Sequence, residues 1–517
     1  MQIYQSRFAP VADPGLSITG LVFRDESGHE AEPALIDGPT GRVLTRGALF
    51  QGVQRLAGGL AERGFGAGAT IAVMAPNLPE YALVFHAVAW AGGTLTTVNP
   101  TYTASEVQHQ LRDSGASLLI TVAPFLDTAR AAVQDTGVRE IVVIGTAEGA
   151  LPLASLMGEP MTAQAPVDLG SHVVVLPYSS GTTGLPKGVM LSHRNLVMNV
   201  VQALAVLEIP RGERTVAFLP FFHIYGQTVF LNLYLAAGGV PVTMPRFDLE
   251  MFLRLVTEHR TPRIWSVPPV ALALAKHPMV AGADLSAVRT VYTAAAPADA
   301  ALTDAVSARL GVEAMQAYGM TELSPVSHVN PSGAGRPGSS GLAVPSTECR
   351  IVDPATGADR APGQEGELWV RGPQVMLGYH RNPAATEATI TPDGWLRTGD
   401  LAVIDADGYL FVRDRVKELI KVKGFQVPPA EVEAALLALP GVADAAVIGV
   451  ADEESGEVPV AFVVRAPGSA LDEADLRRHC GACLAHYKHP REFRFVEAIP
   501  KSASGKILRR VLKAQAG

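Results

Sequence analysis

Short apolar runs alternate with segments of helical periodicity from residue 48 to residue 292. Residues 48–62 place Leu49, Val53, Leu56 and Leu60 at helical spacing, which is typical of an amphipathic helix. The apolar runs that follow are Ile71–Ala75, Leu118–Val122, Ile141–Ile144, Thr215–Leu219, Ile264–Val267 and Val288–Tyr292. Strands that alternate with helices favour an α/β fold built on largely parallel sheets.

The chain changes character twice after residue 330. A loop rich in Gly, Ser and Pro covers residues 331–341, and shorter strands at Glu367–Arg371 and Tyr409–Arg413 then indicate a small β subdomain. With 517 residues, the chain is too long for one hydrophobic core, so we expect at least two domains.

A second, smaller domain is predicted from residue 414 onwards. Charged residues crowd the segment 413–423, and a helix is entered at Pro428 and Pro429, since proline is favoured in a first turn. Strands at Val442–Val450, Val458–Val464 and Phe493–Phe495 and a helix at Ala470–Leu484 follow. These elements predict an α+β module, so we place the domains at 1–413 and 414–517.

Composition excludes several functional classes. A net charge of −8 argues against nucleic acid as a main partner, because a phosphate backbone needs a basic face. Three cysteines cannot form a disulfide framework, which favours a cytoplasmic location, and the single C-x-x-C at Cys480 and Cys483 falls inside a predicted helix. No signal peptide or membrane span is expected, and monomer and homodimer remain open.

Residues 178–189, YSSGTTGLPKGV, form a loop suited to a polyphosphate. Glycines permit close approach, backbone N–H groups and hydroxyls donate, and Lys187 adds positive charge. The spacing differs from a Walker A loop, which needs lysine followed by a hydroxyl residue. The loop therefore indicates a nucleotide, most plausibly ATP, bound by Ser179, Ser180, Gly181, Thr182, Thr183 and Lys187.

Five further stretches are unusual. His223 lies in FFHIY, residues 316–322 read QAYGMTE, and residues 394–400 read GWLRTGD. Residues 414–427 read DRVKELIKVKGFQV, and residues 500–506 read PKSASGK. In this order, over roughly residues 15–512, the series resembles the acyl-adenylate-forming superfamily and most of all its 4-coumarate:CoA ligase branch.

The resemblance implies an acid–thiol ligase that uses ATP, Mg²⁺ and coenzyme A. A carboxylate is a poor electrophile, so it would first become an acyl-AMP, and cations would offset the charge that develops. Lys506 would supply such a cation, Lys421 and Gln426 would support this step, and His223 would contact the carboxylate. Rotation of a mobile C-terminal domain about Lys417 would then bring Lys423 and Gly424 to the pantetheine.

The same resemblance assigns the nucleotide contacts. Asp400 and Arg415 would bind the ribose, since a carboxylate can accept from two hydroxyls. Tyr318 and Gly319 would border the adenine, Thr321 would contact phosphate, and Glu322 would help to hold Mg²⁺.

By the same resemblance, the acyl pocket of the family would map onto Tyr225, Ala294, Ala317, Pro325 and Val326. Plant hydroxycinnamate ligases usually have glycine at the positions of Ala294 and Ala317. Each added methyl group in a packed pocket disfavours a bulkier substrate by about 1–3 kcal/mol. We therefore expect a small aryl acid such as benzoate, cinnamate or 4-coumarate.

Other functions remain open at this point. An amino-acid-activating domain is disfavoured because Phe222 and His223 offer no carboxylate for a substrate ammonium group. A luciferase-like oxygenase, a medium-chain fatty acyl-CoA ligase and an enzyme that loads a carrier protein share the same first step. A nucleotide-binding regulator without turnover fits poorly with Lys506, Lys421, Asp400 and Glu322 together.

Overall fold

Five sheets organise the part of the chain that this computed structural model describes. That part comprises residues 2–179, 186–296, 300–416, 418–422, 425–452, 455–502 and 505–516, without the side chain of Gln426. Three sheets belong to the predicted N-terminal α/β region, one to the β subdomain and one to the C-terminal domain.

The large sheet has eight strands within the described residues. In spatial order they are Gly378–Tyr379, Lys187–Ser192, Val173–Ser179, Thr94–Thr97, Thr70–Met74, Ala116–Val122, Glu140–Ile144 and Leu151–Pro152. From Val173–Ser179 to the last strand every pairing is parallel. The strand Lys187–Ser192 pairs antiparallel with both of its neighbours, Gly378–Tyr379 and Val173–Ser179. Because β-branched and aliphatic residues fill these strands and both faces are covered, the runs are continuously apolar.

Two further sheets complete the α/β region, and both combine parallel and antiparallel pairings. One contains Arg263–Ser266, Thr290–Thr293, Glu313–Gly319, Val326–Val329 and Leu342–Ala343, the last two joining antiparallel. The other contains Arg214–Ala217, Val240–Thr243, Pro33–Asp37 and Val43–Thr45, the last of them antiparallel. The predicted strands in these regions are confirmed to within a few residues.

Helices cover the sheets. In the N-terminal region they are Ile18–Val22, Arg46–Glu62, Pro79–Trp90, Ala104–Ser114, Leu126–Ala132, His193–Leu204, Ile224–Gly226, Leu249–Glu258, Pro268–Lys276, Ala300–Leu310 and Pro383–Thr389. Shorter 3₁₀ turns are Ala123–Phe125, Leu153–Leu156, Pro278–Gly282, Thr321–Leu323 and His486–Lys488. The helix at Ile224–Gly226 continues as a π-helix over Gln227–Tyr234. Such π-helical turns are uncommon and often lie at functional sites.

The β subdomain is an antiparallel sheet. Its strands are Tyr4–Gln5, Glu348–Val352, Gly366–Arg371, Leu396–Ile404 and Leu410–Arg415. In the last pairing Asp400 faces Arg415 and Leu401 faces Asp414. The domain boundary that we place between 413 and 414 thus falls inside the strand Leu410–Arg415.

The C-terminal domain has its own sheet and core. Strands Phe425–Val427, Ile420–Val422, Gly456–Arg465 and Val442–Asp452 pair antiparallel, and Glu492–Phe495 joins parallel to the third of these. Helices Pro429–Ala438, Glu473–Cys483 and Arg509–Ala516 pack on it. Val432, Leu436 and Leu476 anchor a hydrophobic cluster separate from the main core.

The predicted helical position of Cys480 and Cys483 is confirmed. Cys480 and Cys483 lie in one helix and both are free thiols. Within the described residues, no helix has the length and apolar character needed to cross a membrane.

Candidate active site

The residues that flank the predicted polyphosphate loop form a hairpin. Ser179 ends one strand of the large sheet, Lys187 begins the next, and the two residues are directly paired. The ammonium nitrogen of Lys187 lies 4.8 Å from the ring centroid of Tyr379. Of the predicted phosphate-binding residues, Ser180, Gly181, Thr182 and Thr183 lie outside the described residues.

Asp113, at the end of the helix Ala104–Ser114, supports this hairpin. The hydroxyl of Tyr178 donates to Asp113 Oδ2 at 2.5 Å, and His380 Nε2 lies 3.1 Å from the Asp113 carbonyl oxygen. Burial and the neighbouring Asp113 carboxylate raise the pKa of Tyr178, so the phenol remains a donor. The loop therefore starts from a strand that is fixed on a neighbouring helix.

Glu322 lies buried beside Tyr379, the tyrosine whose ring lies near Lys187. The hydroxyl of Tyr379 donates to Glu322 Oε1 at 2.8 Å, so Lys187, Tyr379 and Glu322 form a connected group. Burial and the Glu322 carboxylate raise the pKa of Tyr379, which keeps its proton on the phenol. Thr321, which is predicted to contact phosphate, directly precedes Glu322 in a 3₁₀ turn.

The residues at this point fit a shared Mg²⁺ site. Mg²⁺ in nucleotide enzymes typically uses one or two carboxylates together with substrate phosphates and water. The described residues contain no cluster of three or more His, Cys, Asp or Glu side chains arranged around a metal. Glu322, a carboxylate beside the phosphate-binding hairpin, suits a metal held mainly by substrate oxygens.

Asp400 is the centre of a second polar group. The Tyr318 hydroxyl donates to Asp400 Oδ2 at 2.6 Å, and Arg415 Nε lies 2.9 Å from Asp400 Oδ1. The Asp400 backbone N–H donates to Thr398 Oγ1 at 3.1 Å, which fixes the turn that carries the carboxylate. The Asp400 carboxylate raises the pKa of Arg415, and burial followed by Asp400 raises that of Tyr318. Since a carboxylate has about four acceptor positions, Asp400 retains capacity for ribose hydroxyls.

Lys506 reaches this group from the C-terminal domain. Its backbone N–H donates to Ser502 Oγ at 3.1 Å, and Ser502 N–H donates to the Lys506 carbonyl at 2.8 Å, which closes a tight turn. A methyl group built on Gly505 would lie 3.2 Å from Pro269 Cδ and 3.4 Å from Val267 Cβ. The turn therefore rests directly on the N-terminal domain.

The charged groups that act on Lys506 show which residues lie near it. Burial lowers the pKa of the Lys506 ammonium and Arg415 lowers it further, whereas Asp400, Glu322 and Glu418 raise it. The structure thus brings the predicted catalytic lysine together with the predicted ribose and metal residues. Two cations and three carboxylates, contributed by both domains, meet at this position.

His223 begins the short helix that leads to the acyl wall. Its Nδ1 accepts a hydrogen bond from Tyr225 N–H at 3.2 Å, so the neutral ring carries its proton on Nε2. Burial, together with the positive charge of Lys506, lowers the pKa of His223 to about 4. The imidazole is therefore neutral near pH 7, and it lies within electrostatic reach of Lys506.

The predicted acyl-pocket residues lie on two adjoining segments. Tyr225 Oη approaches the Ser266 carbonyl at 3.5 Å, and the same carbonyl accepts from Ala294 N–H at 3.1 Å. Ala317 pairs with Val329 across a hairpin in which Tyr318 also faces His328 and Gly319 faces Val326. A methyl group on Gly319 would lie 2.2 Å from the Pro325 carbonyl oxygen, so only glycine fits.

Asn199 holds the far side of this hairpin. Its Nδ2 donates to the Val326 carbonyl at 2.7 Å and its Oδ1 accepts from Val326 N–H at 3.1 Å. A fully buried amide that binds both backbone groups of one residue fixes the position of that residue closely. Val326 and Pro325 are thereby set relative to the helix His193–Leu204.

Lys421 and Gln426 lie in the C-terminal domain. They face each other in the paired strands Ile420–Val422 and Phe425–Val427, and the Lys421 side chain is exposed. Lys417, Lys423 and Gly424 lie outside the described residues, as does the Gln426 side chain. The predicted roles of these five residues therefore stay predictions.

Sequence reasoning missed Tyr379, Asp113 and Asn199. Tyr379 lies 57 residues from Glu322, and Asn199 lies 127 residues from Val326. A single tyrosine or asparagine has no spacing pattern, so only the folded contacts identify them.

Comparison with known proteins agrees with this geometry. The AMP-binding enzyme family matches residues 22–380, and the AMP-binding enzyme C-terminal domain matches residues 431–506. The chain belongs to the AMP-binding enzymes. This AMP-binding enzyme is 39% identical to 4-coumarate--CoA ligase 5 of Oryza sativa subsp. japonica, over 99% of the chain and 97% of the relative.

Solved structures extend the likeness to both domains. The anthranilate CoA ligase AuaEII in complex with anthranoyl-AMP is 28% identical, with a TM-score of 0.90 over 97% of each chain. ATP-bound MatB from Rhodopseudomonas palustris is 29% identical, with a TM-score of 0.89 over 97% of this chain and 99% of MatB. Apo MatB, covering 96% of this chain and 98% of its own, reaches only 0.77 at 30% identity. The described arrangement is thus more similar to the ATP-bound form.

Proposed function

We propose that this AMP-binding enzyme is an ATP-dependent aryl-acid:CoA ligase. An aromatic carboxylate and ATP give an acyl-AMP and pyrophosphate, and CoA then gives the thioester and AMP. Full-length similarity to 4-coumarate--CoA ligases and the likeness to an anthranilate CoA ligase support this substrate class.

The position of Lys506 is the observation that carries the proposal. Its ammonium group interacts with Arg415, Asp400 and Glu322, although it comes from a different domain. A regulator that only binds a nucleotide would have no need of a desolvated lysine delivered from a second domain. A chain that must offset transition-state charge on an α-phosphate does need one.

In the first half-reaction the substrate carboxylate oxygen attacks the α-phosphorus and pyrophosphate leaves. Lys506 offsets negative charge on the reacting phosphate, while the neutral His223, with its proton on Nε2, donates to the carboxylate. Asp400 and Arg415 bind the ribose, and Tyr318 borders the adenine. Glu322 would hold Mg²⁺, which when bound offsets phosphate charge.

In the second half-reaction the CoA thiol attacks the acyl carbon and AMP leaves. The thiol must approach from a different direction, so Lys506 has to withdraw. Rotation of the C-terminal domain about Lys417 would remove Lys506 and present Lys423 and Gly424 to the pantetheine. Lys421 and Gln426 would support the first step.

The methyl groups of Ala294 and Ala317 favour a compact ring. Ala294 is 8% exposed and its backbone is bound to Ser266, so the wall has little room to move outward. We infer that benzoate, cinnamate or 4-coumarate is preferred over ring-methoxylated acids. The cytoplasmic location and the choice between monomer and homodimer stay predictions.

A pyrophosphate-release screen tests the function. Wild-type enzyme with ATP and Mg²⁺ is supplied with benzoates, cinnamates, medium-chain fatty acids and amino acids, each with and without CoA. We expect release with an aryl acid and thioester only when CoA is present. Release that is fastest with a fatty acid or an amino acid would contradict the aryl-acid assignment.

A further inference from the structure

A hydrogen bond joins the two sides of the expected hinge. Asp414 lies three residues before Lys417, in the strand Leu410–Arg415 of the β subdomain. Its Oδ2 accepts from the backbone N–H of Ala430 at 3.1 Å. Ala430 belongs to the helix Pro429–Ala438 of the C-terminal domain. This contact therefore depends on how the two domains are oriented.

The helix needs this acceptor because it has no cap of its own. The first backbone N–H groups of any helix lack partners within it, and a side chain at the preceding position usually supplies one. Here that position is Pro428, which makes no side-chain cap bond. Asp414, from the other domain, supplies the missing oxygen. Its second oxygen, Oδ1, accepts from Arg415 N–H at 2.7 Å and so fixes the carboxyl plane.

The neighbouring charges indicate that the oxygen, more than the negative charge, makes the contact. Burial raises the pKa of Asp414 to about 6, which outweighs the lowering by two backbone N–H groups and by Arg509, and Glu433 raises it further. Arg509 is itself paired with Glu418 and Glu433. Arg509 is therefore attracted to two other carboxylates as well as to Asp414. What Asp414 provides to Ala430 is an acceptor oxygen in the right place.

We propose that Asp414 is a positioning residue for the first half-reaction. Its bond to Ala430 holds the C-terminal domain in the orientation that places Lys506 beside Asp400 and Glu322. Rotation about Lys417 moves Ala430 relative to Asp414, so the bond stabilises this orientation and not the rotated one. The inference rests on the proposed function, because it needs two half-reactions with different domain orientations.

Separate assays of the two half-reactions test the role of Asp414. Adenylation is measured as pyrophosphate release without CoA, and thioester formation is measured with a prepared aryl-adenylate and CoA. Loss of a helix cap should reduce the population of this orientation about 3- to 30-fold. Asp414→Ala should therefore slow adenylation by that factor and should not slow thioester formation. Asp414→Asn retains one acceptor oxygen and should fall between wild type and Asp414→Ala.

Asp472→Ala is the matched control. Asp472 caps the helix Glu473–Cys483 through Asp475 N–H at 3.0 Å, but both ends of that bond lie in the C-terminal domain. Its loss should lower thermal stability without separating the two half-reactions. Unfolding temperatures of all three variants show whether stability accounts for any change in rate.

Several outcomes would overturn the assignment. Equal slowing of both half-reactions by Asp414→Ala, or no slowing of adenylation, would refute it. If Asp414→Ala does not fold, the Asn variant decides in the same way: selective slowing of adenylation supports the role, and equal slowing refutes it. Wild type that releases no pyrophosphate with any aryl acid would refute the proposed function itself, before any variant is made.

Discussion

At the residue scale, burial disfavours the charged form of Lys506, whereas nearby carboxylates favour it. Desolvation lowers the pKa of its ammonium group, and Asp400 and Glu322 act in the opposite sense. When ATP brings its own negative charges, the ammonium form is stabilised further. The lysine is therefore positioned for charge that arrives only with the substrates.

Replacing Lys506 should separate the two half-reactions. Lys506→Ala removes the cation that we propose acts on the reacting phosphate, so adenylation should fall by about 10²–10³-fold. Attack of CoA on prepared acyl-AMP should persist, because the lysine is expected to be withdrawn in that step. Lys513→Ala, an exposed lysine on the last helix, is the control. Equal loss in both steps would contradict rotation of the domain.

Ala294 should control the size of the acid. Ala294→Gly removes a buried methyl group, so acids with a ring methoxy group should gain about 5- to 150-fold in kcat/KM relative to 4-coumarate. The measurement is a kcat/KM panel over hydroxycinnamates with increasing ring substitution. Ala203→Gly, buried in the helix His193–Leu204, should lower stability without altering this preference. No gain with bulkier acids would contradict the pocket assignment.

At the element scale, the hairpin Glu313–Gly319 with Val326–Val329 forms one wall of the site by close backbone approach. Gly319→Ala would force a methyl group to 2.2 Å from the Pro325 carbonyl oxygen, so the turn must open. We expect a loss of about 1–3 kcal/mol in stability and a strong loss of activity. Circular dichroism melting and the pyrophosphate assay measure these effects.

Gly282→Ala is the matched variant for that experiment. A methyl group at Gly282, in the turn Pro278–Gly282, meets no atom within 4 Å. It should leave both stability and activity close to wild type. If the two alanine variants behaved alike, close approach at Gly319 would not be the cause.

The elements that sequence reasoning located are those with local patterns. Continuous apolar runs identified the buried strands Thr70–Met74 and Ala116–Val122, because both faces of a parallel sheet are covered. The pair Pro428 and Pro429 marked the start of a helix correctly. The π-helix Gln227–Tyr234 was not predicted, since the residue pattern of this fully buried segment cannot distinguish one helical geometry from another.

The site was predicted where motifs carry it and missed where tertiary contacts do. Asp400, Glu322 and Lys506 lie in recognisable stretches, and the structure brings them together. Tyr379 and Asp113 act through bonds to distant residues, which sequence spacing does not encode. Supporting residues of this kind follow only from the folded structure.

At the scale of the whole molecule, buried neutral histidines make stability depend on pH. Burial lowers the pKa of His86 to about 4 and those of His193 and His328 to about 3. In the unfolded chain the pKa of a histidine is near 6.5, so below that pH these groups bind protons on unfolding. Their stabilising contribution to the free energy of unfolding is complete above about pH 6.5 and decreases as pH falls. Asp414 and Glu213, whose pKa values are raised by burial, act in the opposite sense.

A comparison with one histidine removed isolates this effect. Each buried histidine should contribute about 1.4 kcal/mol per pH unit to the fall in unfolding free energy below about pH 6. His328→Asn should therefore show a slope smaller than wild type by about that amount. Urea unfolding at about pH 6 and about pH 5 measures both slopes. Parallel slopes for the two proteins would contradict a neutral buried His328.

The pairing of Asp400 with Arg415 also has a consequence for recombination between related genes. A crossover at residue 413 would combine Asp400 of one parent with Arg415 of the other, although the two face each other across adjacent strands. A crossover after Val416 would instead transfer this predicted ribose-binding pair as one block. The segment to exchange as one piece therefore extends to the end of the last strand of the first domain. Domain exchange should succeed more often with a crossover at the end of that strand than with one at residue 413.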